Sequence, residues 1–463
     1  MKLKGIITKC SMVTFLIVSL ILSLSMMCFA GKVIIGTDAG DIEALMNSFA
    51  PQIKEKLGID IEFVTWPLAN QYEVVMLALS SNTPTFDLVT YFPQYLGDFG
   101  PYLQDVSEIG NVEEAFVVDD IMPGFLDNYM KWRGKWVGIT FDGDIHLLTY
   151  RKDLFNDPKE QAAYKEKYGK ELQPPQDYEE YNDIAEFFTR PEQNLYGTSS
   201  WYKRDVLGWV WWYNRLLTKG GELFTDDGKA RINDEIGVWA LENYVESYKY
   251  SPPGSLAFGY DETRKVFFDG MVAMEEHWPC LPKVAADPTK AVEKVWKNVG
   301  IAPLPGNFSF MPGGRVLAMP KISPNSKEDA FKVMAFFGSP EISRILVVDT
   351  KTHLDPWRKS HFSDPTMYKE MSAAGCAEDF VNAELVSLKR GIPQLNIKFS
   401  FRYQDALSKA ISQALSGELS PKQALDNAAA EWDRMTDEIG VDTMLPEIQA
   451  WHEFLKAKGY TWN

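Results

Sequence analysis

Trp136-Val-Gly-Ile-Thr-Phe-Asp-Gly-Asp-Ile-His-Leu-Leu-Thr-Tyr-Arg-Lys-Asp-Leu-Phe155 holds two short apolar runs on either side of Phe141-Asp142-Gly143-Asp144. A glycine between two carboxylates marks a turn, because glycine reaches backbone angles that other residues avoid. Ile145, Leu147, Leu148 and Tyr150 read as a second strand, and Arg151-Lys152-Asp153-Leu154-Phe155 as the start of a helix. An aromatic ring and two acids therefore stand on a loop between buried strands, where a small polar ligand can be gripped.

Working outward, the chain alternates strands and helices. Upstream, Val33–Thr37 reads as a strand ending at Asp38-Ala39-Gly40. Ile42, Leu45, Met46, Phe49, Ile53 and Leu57 then recur at helical spacing over 41–57. Ile59–Thr65 alternates in period two, 71–80 reads as helix, and Phe86–Tyr91 as a third strand. Short links between such elements imply a mostly parallel sheet covered by helices, the α/β class. Ligands of such sheets sit beyond the carboxyl ends of the strands, which nominates Asp38, Trp66 and Tyr91. Downstream, residues 201–217 hold the densest aromatic cluster, with Trp201, Trp209, Trp211 and Trp212. Strands are expected over 270–278, 298–305 and 315–319, with the 306–314 stretch a loop. Helices are expected over 232–250, 261–269, 326–337, 340–348, 402–416 and 421–438. No internal repeat or low-complexity tract interrupts this order.

The amino terminus carries Lys2, Lys4 and Lys9, an apolar run from Met12 to Leu24, and Cys28-Phe29-Ala30 ahead of Gly31. That is the layout of a secretory signal peptide over residues 1–30. Lipid anchoring through Cys28 is the weaker reading, because Met27 precedes it. Three of the 47 basic residues leave with the signal, so 44 face 64 acidic ones. Such a surface argues against nucleic acid or an anionic membrane as partner, since both need basic faces. A mature chain of this length suits two domains. Its two cysteines, Cys280 and Cys376, make no disulfide framework, and either a pair or two buried thiols fits.

Several blocks resemble one family in order along the chain. The opening segment is similar to the crossover of sugar-binding proteins of bacterial ABC importers, extracellular solute-binding protein family 1, of the maltose-binding-protein-like kind. Met76–Val89, Phe268–Glu275, Gly313-Gly-Arg-Val-Leu-Ala-Met-Pro320, Ala330–Glu341 and Ser420–Asp426 resemble further blocks of it. The resemblance implies a two-lobed periplasmic-binding-protein fold (type II) with the ligand cleft between the lobes. It implies lobe one at about 31–145 with 300–345 returning to it, and lobe two at 146–299 with much of 346–463. It further implies a carbohydrate ligand, capture by lobe closure, and delivery to a membrane permease by a periplasmic or extracellular monomer.

Chemistry says which residues suit a sugar. Its hydroxyls ask for planar hydrogen-bonding groups and its C–H faces ask for flat rings. Charged partners give hydrogen bonds roughly twice as strong as neutral ones. The candidates are Asp38, Trp66, Tyr91, Asp142, Asp144, Trp201, Trp278, Gly313, Gly314, Trp357 and Arg358, the glycine pair letting backbone approach the ligand. Against each stands a plainer role: a tryptophan more often packs a core, Asp142 can simply fix the turn, and Arg358 can pair locally. For Trp209, Trp211 and Trp212 the helical spacing favours packing. Glu275-Glu276-His277 reads as a strand end with solvated acids. No nucleophile elbow, His-Glu-x-x-His or phosphate loop is present, and the histidines lack metal spacing. No enzyme, cofactor or metal is therefore expected. A module presenting its ligand to a chemoreceptor or sensor kinase, and an exported carbohydrate-active enzyme, are the alternatives.

Overall fold

The computed structural model describes residues 31–83 and 85–462, so the expected export signal lies outside the described residues. The strand expected at Val33–Thr37 becomes β1 (Gly31–Asp38), paired in parallel with β2 (Ile59–Trp66), the period-two run, from Gly31 opposite Ile59 to Asp38 opposite Trp66. β3 (Leu88–Tyr91) runs parallel on the other side of β1. Within Trp136–Phe155 lie β4 (Gly138–Asp142), a crossing at 143–146, and β5 (Leu147–Arg151). β6 (Tyr196–Ser199), β7 (Val272–His277), β8 (Val299–Pro303) and β9 (Arg315–Ala318) follow.

These strands form two main sheets, ordered β2-β1-β3-β9-β4 and β8-β5-β7-β6. β4 and β5, neighbours in sequence, lie in different sheets, so 143–146 is a crossover between two lobes. The chain crosses back between β8 and β9, where Ser309–Met311 pairs in parallel with Gly391–Pro393. A third crossing passes through 355–357, where the carbonyl of Asp355 accepts the Gly143 N–H at 3.1 Å and that of Trp357 accepts the Met122 N–H at 3.0 Å. Gly143 is not in the left-handed region. Its need is for space, since a Cβ there would lie 2.5 Å from both the Pro356 carbonyl oxygen and the Trp357 Cβ.

Four details depart from the sequence reading, the first being that the expected 306–314 loop holds the Ser309–Met311 strand. The helix expected over 41–57 is two, Asp41–Ser48 and Ala50–Leu57, because Pro51 lacks an N–H and its ring opposes an unbroken turn. Phe49 at the break packs edge-on against Phe336 and Phe337. The strand at 299–303 pairs with β5 in the second sheet, and the chain re-enters the first sheet only at Arg315. Glu275-Glu276-His277 is wholly buried, since β7 is an interior strand. Glu276 meets Arg215 at 3.0 Å and accepts hydrogen bonds from Tyr178 Oη and Asn214 Nδ2.

Trp209, Trp211 and Trp212 lie in the apolar core of the second lobe. The long helices Ser400–Leu415 and Pro421–Ile439 pack on Glu235–Tyr248 there. The first turn of Ser400–Leu415 also reaches the first lobe, where Phe401 stacks on Tyr72 at 4.8 Å and Ser400 Oγ donates to the Gln94 carbonyl at 2.7 Å. Cys280 and Cys376 are separate, buried free thiols. Among the described residues no helix is long and apolar enough to cross a membrane.

Candidate functional site

The crossovers and the carboxyl ends of β1 and β4 enclose a cavity of about 360 Å³, within the range of small-ligand sites. Its first-lobe wall includes Asp38, Asp41, Phe92, Asp142 and Arg315. Its second-lobe wall includes Trp201, Tyr260 and Trp278, and the crossovers add Asp144, Gly313 and Asp355. Both lobes and the segments joining them therefore contribute to one site.

Local structure explains each placement. A register shift between Arg315 and Val316 interrupts the pairing of β9 with β4, and such irregularities re-aim side chains. The Arg315 guanidinium forks onto Asp38 at the end of β1, with contacts of 2.5 and 3.3 Å, and lies 5.0 Å from the Phe92 ring centroid. Gly313 and Gly314 take φ of +84° and +77°. That turn presents the Gly314 N–H to Asp144 Oδ2 at 2.5 Å. A Cβ on Gly313 would lie 2.5 Å from the same oxygen, so bulk is excluded there as well as conformation. Trp278 is held by its indole N–H on the Pro312 carbonyl at 2.7 Å, with Trp201, Trp211 and His146 around its ring.

Three carboxyls converge at the centre. Oxygens of Asp142, Asp144 and Asp355 lie within 4.8 Å of one another, close enough to be shared by one cation. Asp142 Oδ1 accepts the Asp355 backbone N–H at 2.7 Å. Burial pushes the Asp142 carboxyl up to about 6, against the pull of its backbone hydrogen bonds, Arg315 and Lys283. Burial, then repulsion from Asp142, drives Asp144 and Asp355 well above the ordinary carboxylate range. Glu384 is raised by burial and then by Asp144. Burial lowers His146 to about 3, which leaves it a neutral ring against Trp278.

Of the residues singled out from sequence, the fold brings Asp38, Asp142, Asp144, Trp201, Trp278 and Gly313 to the cavity, and Gly314 holds Asp144 from behind. Trp66, Tyr91, Trp357 and Arg358 do not line it. Trp66 ends an edge strand and packs on Phe86, and Tyr91 is buried edge-on against Phe99. Arg358 lies 4.2 Å from the Trp357 ring centroid and donates to the carbonyls of Phe116, Val117 and Gly338. Arg315, Asp355, Tyr260 and His353 line the cavity without having been singled out. Arg315 follows the glycine pair directly and Asp355 opens the block holding Trp357 and Arg358, so both had a nearby signal. Tyr260 and His353 had none.

Residues 39–343 match the model of the bacterial extracellular solute-binding proteins. The chain belongs to that family. Among curated relatives, it is 24% identical over 330 residues to a probable amino-acid ABC transporter periplasmic-binding protein of Sinorhizobium fredii, covering 70% of this chain and 72% of the relative. It is 26% identical over 344 residues to the mannitol-binding protein of Pseudomonas aeruginosa, covering 68% and 72%. Among solved structures, an ABC transporter solute-binding protein of Agrobacterium radiobacter K84 in complex with ribitol superposes with a TM-score of 0.75 at 24% identity, over 88% of this chain and 98% of that one. The chain therefore has the two-lobed α/β fold of periplasmic solute-binding proteins, and its cavity lies between the lobes. The family is one of binding proteins rather than enzymes.

Proposed function

We propose that this solute-binding protein captures a polyol, sugar or short oligosaccharide between its lobes and delivers it to the permease of an ABC importer. It works outside the cytoplasm as a monomer after loss of residues 1–30. The observation that carries the reading is the composition of the cavity, where aromatic rings from one lobe face planar charged groups from the other. Trp201, Tyr260 and Trp278 supply flat apolar surface for C–H faces, and Asp38, Asp142, Asp144, Asp355 and Arg315 supply hydrogen bonds for hydroxyls. The mannitol-binding relative and the ribitol complex support that ligand class. Because the walls belong to different lobes, a solute touching both binds the closed arrangement better than an open one. Only such differential affinity makes closure report occupancy to a permease.

The test is thermal unfolding of the mature protein, first unfolded and refolded to strip carried solute, against polyols, monosaccharides and oligosaccharides. A solute at about 100 times its Kd adds roughly 2.7 kcal/mol and raises the midpoint by several degrees. A shift confined to one ligand class is expected. A panel without any shift would overturn the reading.

A further inference from the structure

Resting on that reading, we infer that the solute is a cationic carbohydrate, an amino sugar or amino polyol whose ammonium is seated among Asp142, Asp144 and Asp355. Five buried carboxyls gather here: those three, Asp38 and Glu384. Against them, among the described residues, stand Arg315 and Lys283. Arg315 is already engaged by Asp38. Lys283 reaches the group electrostatically, but its ammonium donates to the carbonyls of Val347 and Leu354 at 3.1 and 2.8 Å. Asp355 is 1% exposed and lines the cavity, and among the described residues no N–H or alcohol hydroxyl donates to either of its carboxylate oxygens, its side-chain partner being the Asp144 carboxyl. Glu384, outside the trio and fully buried, likewise has no donor.

Donor and acceptor counts point the same way. Once their protons are displaced, three carboxylates only accept, whereas a neutral polyol offers each hydroxyl as donor and acceptor alike. An ammonium carries three donors and no acceptor, the complement of three converging carboxyls. The walls of Trp201, Tyr260 and Trp278 suit an organic cation, which ring faces attract. A calcium-type ion wants six to eight oxygens, yet one oxygen each of Asp142 and Asp144 is taken by a backbone N–H. An anionic group on the solute would find the cavity's one guanidinium, Arg315, occupied. This favours an amine on a hydroxylated skeleton over an amino acid.

Proton release should accompany binding, since burial and repulsion from Asp142 make Asp144 and Asp355 hold protons that an ammonium displaces. The groups facing the trio are Arg315 and Asp38 from the first sheet, Tyr129, Lys283, Glu384, Tyr368 and the Tyr260–Cys280 pair. The refolded mature protein would be titrated by calorimetry with glucosamine against glucose and glucamine against sorbitol, at pH 7 in two buffers of different protonation enthalpy. At least one amine should bind about tenfold or more tighter than its neutral partner and release protons. Asp355→Asn should erase that preference. Neutral partners binding as tightly as amines, or amines binding without proton release, would overturn this inference while leaving carbohydrate capture standing. A requirement for calcium chloride in binding the neutral partners would reassign the carboxyls to a metal. Silence from all four solutes would overturn this inference and leave carbohydrate capture to the thermal panel, and an unchanged preference in Asp355→Asn would remove the trio from recognition.

Discussion

Asp142→Asn should make the unliganded protein more stable at neutral pH while weakening its grip on solute. Asp142 Oδ1 accepts the Asp355 N–H, and an asparagine oxygen keeps that bond. What the substitution removes is the cost of holding a buried carboxylate ionised. The rise from the ordinary 3.8 to about 6 corresponds to about 3 kcal/mol at pH 7. Because the folded state holds this proton more tightly than the unfolded chain, the wild-type stability it confers is fully present below pH about 4. It is lost as pH rises through about 6. The gain in the variant should accordingly be absent at pH 4, grow between pH 4 and 6, and reach at most about 3 kcal/mol at pH 7. That is a midpoint several degrees higher. Thermal melts of the refolded, solute-free wild type and variant across this range decide it. A variant that melts lower at pH 7, or a difference equal at pH 4 and pH 7, would refute the account of a strained carboxyl cluster.

Three further substitutions separate solute contact from scaffold. Trp201→Ala removes a half-buried ring facing the cavity. It should weaken solute binding by about tenfold or more with little loss of melting temperature, measured by calorimetry and thermal melts. Gly313→Ala sets a methyl 2.5 Å from Asp144 Oδ2 at a φ of +84°; it should cost about 1–3 kcal/mol and abolish binding. Arg358→Ala strips donors from the buried carbonyls of Phe116, Val117 and Gly338. It should destabilise by about 3 kcal/mol or more and leave solute affinity in the folded fraction unchanged; a specific loss of affinity would place Arg358 in recognition after all.

The order of elements and the Asp142–Asp144 crossover were legible because they rest on local signals: periodicity, a glycine between acids, strands of recognisable composition. Strand order was not, and it decides which strand ends reach the site. Asp38 and Trp66 are register partners, and both end strands where a ligand belongs. β1, however, is interior and β2 is the edge, so only Asp38 comes within reach of Arg315. That partner lies 277 residues away, and no window along the chain contains both. In Asp355-Pro-Trp-Arg358 the chemistry was legible and the direction was not. Close passage against Gly143 places the Trp357 Cβ where a side chain on residue 143 would stand, so ring and guanidinium go into the core while the carboxylate faces the cavity. Glu275-Glu276-His277 shows the same cause from the other side. Successive charges read as solvated when judged locally, yet Arg215, Tyr178 and Asn214 arrive from other elements and allow Glu276 to be buried. Burial of a charge depends on whether the fold brings it a partner. Asp142, Asp144 and Asp355 are buried together with fewer partners than their charge demands, which is the reason to look for the missing one in the solute.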